Sequence, residues 1–108
     1  MEIYFKDFQN LDLSIGKVLE AEPIAGSRNL LKLMVDFGSE KRQAVAGLAQ
    51  HYKPEDLIDN EYMFILNLER KKLMGVESQC MIFAAEDNNG NIVLMKPEKE
   101  VEPGSHVR

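Results

Sequence analysis

Two apolar segments of strand length, joined by a short basic segment, constrain the fold more than any other part of the chain. The first covers residues 62–66 and the second covers residues 78–85. Aromatic and branched side chains in short runs of this kind favour pleated strands. The segment between them contains residues 70–72, the only three consecutive cations in the sequence. We therefore predict two neighbouring strands with polar and basic groups at their ends, where side chains can meet a ligand.

Further strand patterns precede and follow these two. Leu31, Leu33 and Val35 alternate with polar residues, as in a half-buried strand. Pro54, followed by two acids, is a typical start of a short helix. The Asn-Gly pair at 89–90 predicts a hairpin with a primed turn. The predicted elements are an amphipathic turn against the core at 4–11, strands at 13–19, 31–36, 42–47, 62–66, 78–85 and 92–95, and a helix that starts at 54.

Five strands with a short helix between the third and the fourth are the pattern of an OB-fold. The predicted fold class is therefore mainly all-β: a five-stranded OB-fold barrel with short helices and a C-terminal extension. In this architecture the loops after the first and the fourth strands grip the ligand, and here they are 24–29 and 69–75. The surplus sixth strand and the tail, residues 92–108, are expected to contribute to dimerisation.

The composition limits the class of function. A chain of 108 residues forms one domain. Its net charge of −5 has the opposite sign to that of a generic nucleic-acid binder. Residues 1–54 carry seven cations and seven anions, whereas residues 55–108 carry six cations and eleven anions. Any contact with phosphates must therefore come from a local patch. Neither a membrane-length apolar run nor a leader pattern is present, so we expect a cytoplasmic protein without a membrane partner.

The sequence predicts neither catalysis nor a cofactor. His51 and His106 are far apart and lack partners at metal-ligand spacing, so no metal site is expected. Cys80 lies within an apolar strand pattern without a local base, which favours a buried and inert thiol. No phosphate-binding glycine loop precedes a helix. We therefore predict a binding protein and not an enzyme.

Several segments resemble one known family. They lie at 12–18, 33–38, 52–57, 67–79 and 97–104, and the most specific of them is Asn67-Leu68 followed by Lys72-Leu73-Met74-Gly75-Val76-Glu77-Ser78-Gln79. They are similar to the tRNA-binding domain family, which includes the C-terminal domain of many methionyl-tRNA synthetases and small freestanding tRNA-binding proteins. The resemblance covers essentially the whole chain. It implies an OB-fold homodimer that recognises tRNA by shape with little sequence readout. It leaves open a freestanding protein or one that acts with a methionyl-tRNA synthetase.

The predicted RNA-binding face combines cations for phosphates with a few groups for exposed bases. Asn67, Met74 and Gln79 are the expected base contacts, and strand alternation lets only one of Ser78 and Gln79 face the ligand. No aromatic side chain is among the candidates, so stacking should be weak. The candidates are Arg28, Asn29, Lys32, Arg42, Asn67, Arg70, Lys71, Lys72, Met74, Ser78 and Gln79.

Departures from the family pattern predict weaker RNA binding than is usual in the family. Arg28-Asn29 replaces the usual Asp-Lys in the first loop, and Glu69 replaces a common Lys. Two alternative functions are consistent with the sequence. One is a dimerisation or docking module for a synthetase, and the other is a peptide-binding export chaperone of the same fold with an apolar pocket near Met74.

Overall fold

The chain folds into nine strands and two short helices. A computed structural model describes all 108 residues. In chain order the elements are α1 (Phe5–Gln9), β1 (Leu13–Pro23), β2 (Leu31–Asp36), β3 (Lys41–Ala46), α2 (Pro54–Leu57), β4 (Glu61–Ile65), β5 (Lys71–Leu73), β6 (Val76–Ser78), β7 (Met81–Ile82), β8 (Ala84–Glu86) and β9 (Ile92–Leu94).

Five of these strands form the predicted barrel. They are hydrogen-bonded in the order β3-β2-β1-β4-β7, and every pair is antiparallel. The segment that follows β6 returns to β3, where the backbone N–H of Gln79 donates to the carbonyl of Gln43 at 2.8 Å. This bond brings the two ends of the sheet together. The mainly β, nearly closed barrel is therefore confirmed.

Alternation along the strands fills the interior of the barrel. Leu31, Leu33 and Val35 are buried while the residues between them are only partly covered. The fully buried Phe64 ring meets the Phe37 ring edge to face at 5.3 Å between centroids. Each such side chain contributes roughly 1.5–3 kcal/mol to folding through burial. The core thus holds the strands from which the binding elements project.

Gly16 allows two core side chains to approach the backbone of β1. A Cβ at this position would lie 2.5 Å from both Phe37 Cε1 and Val35 Cγ1. These two side chains therefore occupy the space that a side chain at position 16 would need. The β-bulge lies further along the strand, where the pairing with β2 shifts register between Val18 and Glu20.

The end of the chain differs from the single fifth strand expected at 78–85. Ser78 ends β6, the two-residue β7 pairs with β4, and Ala84 begins β8. After β7 the chain leaves the barrel because β8 pairs with β9 as a separate two-stranded sheet. The predicted loop at 69–75 also contains strand structure, since β5 and β6 form a hairpin.

The β8–β9 hairpin is confirmed, but its turn differs from the expected primed type. Gly90 alone of this Asn-Gly pair has a positive φ, +81°. The Asp87 carboxylate accepts hydrogen bonds from the backbone N–H groups of Asn89 and Asn91 and from the Asn91 side chain. The turn is therefore held by an acidic side chain and not by left-handed residues at both central positions.

The N-terminal helix does not pack against the core as expected. No residue of α1 is buried, and Tyr4 and Phe5 are 74% and 71% exposed. One turn of helix has too little contact surface to order an apolar face against the barrel. Its apolar side chains instead line a groove of about 370 Å³ with Leu13 and the C-terminal residues.

The C-terminal tail lies along the first half of β1. Gly104 N–H donates to the carbonyl of Ile15 at 2.7 Å, and Val107 N–H donates to that of Leu13 at 2.9 Å. Gly104 has a φ of +90°, and a Cβ there would collide with the carbonyl oxygen of Phe37. Residues 104–107 are thus ordered on the protein's own barrel. No helix in the protein has the length and apolarity needed to cross a bilayer.

Candidate nucleic-acid interface

The β5–β6 hairpin carries the basic segment and presents it to solvent. Its turn residues, Met74 and Gly75, have φ values of +52° and +79°, the left-handed pair that characterises a type I′ turn. Residues 70–72 are all exposed. Because a type I′ turn matches the twist of the two strands, it fixes the direction in which the cations project.

The hairpin tip contacts the loop that connects β1 and β2. A Cβ built on Gly26 would lie 3.2 Å from Cε of Met74, so the methionine methyl group rests on the open side of this glycine. The loop itself is ordered by Ser27, whose Oγ accepts hydrogen bonds from the N–H groups of Asn29 and Leu30. The two loops predicted to grip a ligand therefore meet, and Arg28 and Asn29 lie exposed beside the contact.

Ser78 and Gln79 lie at the closure of the barrel. Ser78 Oγ accepts from the N–H of Val45 at 3.0 Å and donates to the carbonyl of Cys80 at 3.0 Å. Gln79 Oε1 accepts from the N–H of Gln43 at 3.1 Å, and its Nε2 donates to Glu77 Oε1 at 3.2 Å. Both side chains use their polar atoms inside the protein, where they hold β3 to the base of the hairpin.

Arg42 is also bound within the protein. Its Nη1 donates to the carbonyl of Leu66 at 2.7 Å and to that of Gln79 at 3.3 Å, and its Nε donates to the Glu40 carboxylate. The hydrogen bond from Arg42 lowers the pKa of Glu40 below its ordinary value. Only 19% of the arginine side chain is exposed. This guanidinium therefore joins β3, the end of β4 and the barrel closure.

Asn67 connects the end of β4 to the segment before β1. Its Oδ1 accepts from the N–H of Asp12 at 2.8 Å, and its Nδ2 donates to the carbonyl of Asn10 at 2.6 Å. These partners are distant in sequence, so Asn67 does more than cap its own strand. Asn67 is exposed, and its amide retains one acceptor lone pair and one N–H that form no hydrogen bond within the protein.

Two more candidate cations have acidic neighbours. Lys32 Nζ lies 2.8 Å from Glu22 Oε1, and this hydrogen bond is the main cause that raises the pKa of Lys32. Arg70 Nη1 lies 3.8 Å from Glu77 Oε1. Lys71 and Lys72 have no such pair. The free cations of the hairpin are thus the two lysines of β5.

The candidate face therefore separates into two groups. Arg42, Asn67, Ser78 and Gln79 are hydrogen-bonded inside the protein and position the hairpin. The remaining candidates lie on the rim that faces solvent, and they are Arg28, Asn29, Lys32, Arg70, Lys71, Lys72 and Met74.

An apolar groove beneath the hairpin was not identified from the sequence as a set of residues. It has a volume of about 370 Å³, and its walls include Val45, Leu68, Leu73 and Met81. The signal available in the sequence was the pair of leucines that flank the basic segment. Cys80 also lines the groove; burial is the main cause that raises the pKa of its thiol to about 12.

A larger cleft lies away from this face. It has a volume of about 510 Å³ and is lined by polar residues of β1, β4 and the tail, with Lys17, Lys96 and Lys99 interspersed among Asp59, Glu61, Glu98 and Glu100. Its mixed charges select no ligand class. No group of three or more His, Cys, Asp or Glu side chains is arranged to hold a metal ion.

These features define a small antiparallel barrel with a basic hairpin beside its first loop. A family model described as "Putative tRNA binding domain" matches residues 13–106, and the chain belongs to this family. A methionine–tRNA ligase from Archaeoglobus fulgidus is 51% identical over 106 residues, which are 98% of this chain and 16% of that relative. The chain spans 15–16% of the length of the curated relatives it matches.

Two solved structures have the same fold over their entire length. A MetRS-related protein from Pyrococcus horikoshii has a TM-score of 0.94 at 39% identity, and each chain is covered completely. The chaperone CsaA from Bacillus anthracis has a TM-score of 0.90 at 30% identity, again with complete coverage of both chains. The family predicted from the sequence is therefore confirmed.

Proposed function

We propose that this protein binds tRNA by its shape, as a cytoplasmic homodimer that acts alone or together with a methionyl-tRNA synthetase, and that it has no catalytic activity of its own. One observation carries the proposal. Residues 70–72 are exposed on a hairpin whose tip, Met74, lies against the first loop at Gly26. Cations, an apolar platform and two converging loops thus occupy one end of the barrel.

The physical basis of the binding is a small number of phosphate contacts. Lys71 and Lys72 have no acidic partner and would neutralise phosphates directly. The net charge of −5 opposes a broad electrostatic attraction, so the affinity must come from this end of the molecule. Each neutralised phosphate contributes a slope of about 0.7–0.9 to the dependence of log K on log salt. We expect a slope of about 2–3, set by the hairpin cations.

Few polar side chains on this face are free to contact bases, which favours recognition of tRNA by its shape. Ser78 and Gln79 are bonded within the protein and cannot read base edges without breaking the barrel closure. Met74 offers an apolar surface to an unstacked base, and the exposed loop residue Asn29 offers an amide. Folded RNA presents phosphates, hydroxyls and a few splayed bases to such a surface.

The apolar N-terminal segment supports the proposed homodimer. Ile3, Tyr4 and Phe5 are all more than 60% exposed, beside the groove that α1 forms with the C-terminal residues. Val93 and Met95, in the segment 92–108 that we expect to contribute to dimerisation, are exposed as well. Exposed apolar side chains in this number typically mark a protein interface.

The experiment that tests the proposal removes the hairpin cations. A variant with Arg70, Lys71 and Lys72 replaced by Ala should bind tRNA about 100-fold more weakly at low salt, with a salt slope lower by about 2. The matched control replaces Lys17, Lys41 and Lys53, three cations outside the hairpin and outside the segments proposed for dimerisation, and should change the affinity only slightly. Fluorescence anisotropy gives the affinity, and sedimentation gives the mass of each variant.

The results separate the candidate functions. Equal losses in the two variants would contradict a tRNA site at the hairpin. Unchanged tRNA binding by the hairpin variant, with the dimer intact, would favour a docking module for a synthetase. A monomeric wild-type protein would contradict the homodimer without affecting the site.

A second candidate function is peptide binding in the apolar groove beneath the hairpin. The observation that favours it is the wall of Val45, Leu68, Leu73 and Met81, and one structural neighbour is a protein named a chaperone. Met81 is 48% exposed at this groove. Replacing Met81 with Gln, which is polar but carries no charge beside the groove residue Lys71, should weaken binding of an apolar peptide strongly and leave tRNA binding unchanged. Peptide binding that survives this change would eliminate the groove as the site.

A further inference from the structure

Every salt bridge in the protein involves a cation of the candidate face. The three pairs are Lys32 with Glu22, Arg42 with Glu40 and Arg70 with Glu77. The remaining ten of the thirteen cations, most of them outside this face, form none. Two exposed cations of this face, Lys32 and Arg70, therefore each have a carboxylate beside them.

Backbone pairing holds two of these carboxylates in position. Glu22 is directly opposite Lys32 in the β1–β2 ladder, and Glu77 is directly opposite Lys72 in the β5–β6 hairpin. Cross-strand neighbours have Cβ atoms about 4.5–5.5 Å apart, so the ladder keeps Glu22 beside Lys32. It also fixes Glu77 on the hairpin, where its Oε1 lies 3.8 Å from Nη1 of Arg70. Glu77 is further fixed because its Oε1 accepts a hydrogen bond from Gln79.

The pair at Arg42 has a different role. Arg42 is mostly covered and donates to two backbone carbonyls, so its bond with Glu40 belongs to the barrel closure. Lys32 and Arg70, by contrast, have side chains that are 37% and 49% exposed. A phosphate can reach these two cations only in competition with an adjacent carboxylate.

We propose that Glu22 and Glu77 mask Lys32 and Arg70 from polyanions and thereby lower the affinity of this face for RNA. The statement about RNA rests on the function proposed above, whereas the masking itself does not. A polyanion must displace each carboxylate or share its cation, so these cations release fewer counterions than free ones. RNA bound at this face would therefore be released more readily.

The test compares two double variants of equal charge. Glu22→Gln with Glu77→Gln removes both masking carboxylates, and glutamine keeps the oxygen that accepts from Gln79. Glu55→Gln with Glu86→Gln removes two exposed carboxylates that form no salt bridge. Binding to tRNA and to heparin, a polyanion without bases, is measured against salt for both variants and the wild type.

The masked-site variant should bind both polyanions about threefold to tenfold more tightly than the control variant. Its salt slope should be steeper by up to about 0.7–0.9 for each cation released. Equal gains in the two double variants would overturn masking, even if the wild type binds tRNA as proposed. A selective gain for heparin in a protein that binds no tRNA would support masking and contradict the proposed tRNA function.

Discussion

The two hairpins outside the barrel have the same size but are stabilised in opposite ways. β5–β6 and β8–β9 each pair three residues with three. In β8–β9 the turn is held by Asp87, which accepts three hydrogen bonds, and the Asn-Gly pair adopts a positive φ only at Gly90. In β5–β6 no side chain bonds to the turn, and a methionine occupies the left-handed region.

This difference agrees with the proposal that β5–β6 is the hairpin that contacts a ligand. A bulky residue with a positive φ costs about 1–2 kcal/mol, and asparagine or glycine would avoid most of that cost. Met74 adopts this left-handed conformation although its side chain remains 57% exposed and gains little from packing. Backbone strain with an exposed side chain is typical of a contact residue. The β8–β9 turn has no such feature, and we expect it to serve folding alone.

Substituting the two turn glycines should give the largest difference in tRNA affinity between the hairpins. Gly75 and Gly90 have φ values of +79° and +81°, and a Cβ at either would meet no neighbour. Alanine at each should therefore lower the free energy of unfolding by the same amount, about 1 kcal/mol. Only Gly75→Ala should weaken tRNA binding, by about tenfold, because it displaces the hairpin tip.

Chemical denaturation and tRNA titration of these two variants provide the measurements. A loss of tRNA affinity in Gly90→Ala equal to that in Gly75→Ala would show that the two hairpins do not differ in function.

A smaller effect is expected from Met74→Asn. Asparagine tolerates the left-handed region, so the variant should be more stable than the wild type by about 0.5–1 kcal/mol. It also removes the apolar platform, and we expect tRNA affinity to fall about fivefold, near the low end of base stacking. The prediction is that stability and affinity change in opposite directions. If both rose together, the strain at this turn would have no functional explanation.

The smallest effect concerns the acid titration of the β8–β9 turn. The side-chain hydrogen bond from Asn91 is the main cause that lowers the pKa of Asp87 below its ordinary value of 3.8. The pKa of Asp87 is lower in the folded protein than in the unfolded chain. The carboxylate therefore stabilises the fold above the ordinary pKa, and this stabilisation is lost as the pH falls through the folded pKa. NMR titration should place the Asp87 midpoint below 3.8. A midpoint at or above 3.8 would contradict the turn geometry.

The barrel strands could be predicted because their signals are local. The alternation at Leu31, Leu33 and Val35, and Pro54 at the start of α2, depend only on neighbouring residues. The primed turn was expected at Asn89-Gly90 and is found at Met74-Gly75. At Asn89-Gly90 the side-chain hydrogen bonds of Asp87 hold a different turn. At Met74-Gly75 the primed turn forms although methionine is not a preferred residue for it.

The division of the candidate face could not be predicted because it depends on distant partners. Asn67 bonds to Asp12, and Arg42 bonds to the carbonyl groups of Leu66 and Gln79. No sequence pattern relates these positions, since they meet only when the barrel closes. The residues themselves were identified from a motif, but the motif does not distinguish groups that build the site from groups that face the ligand.

The environment of Cys80 makes the protein convenient for single-site labelling. The thiol is 5% exposed, and burial raises its pKa to about 12. At neutral pH almost none of it is thiolate, the form that reacts with maleimides. A cysteine introduced at an exposed position of the β5–β6 hairpin would therefore carry the only reactive thiol. A dye attached there could follow tRNA arrival and departure on the native background, without removal of the natural cysteine.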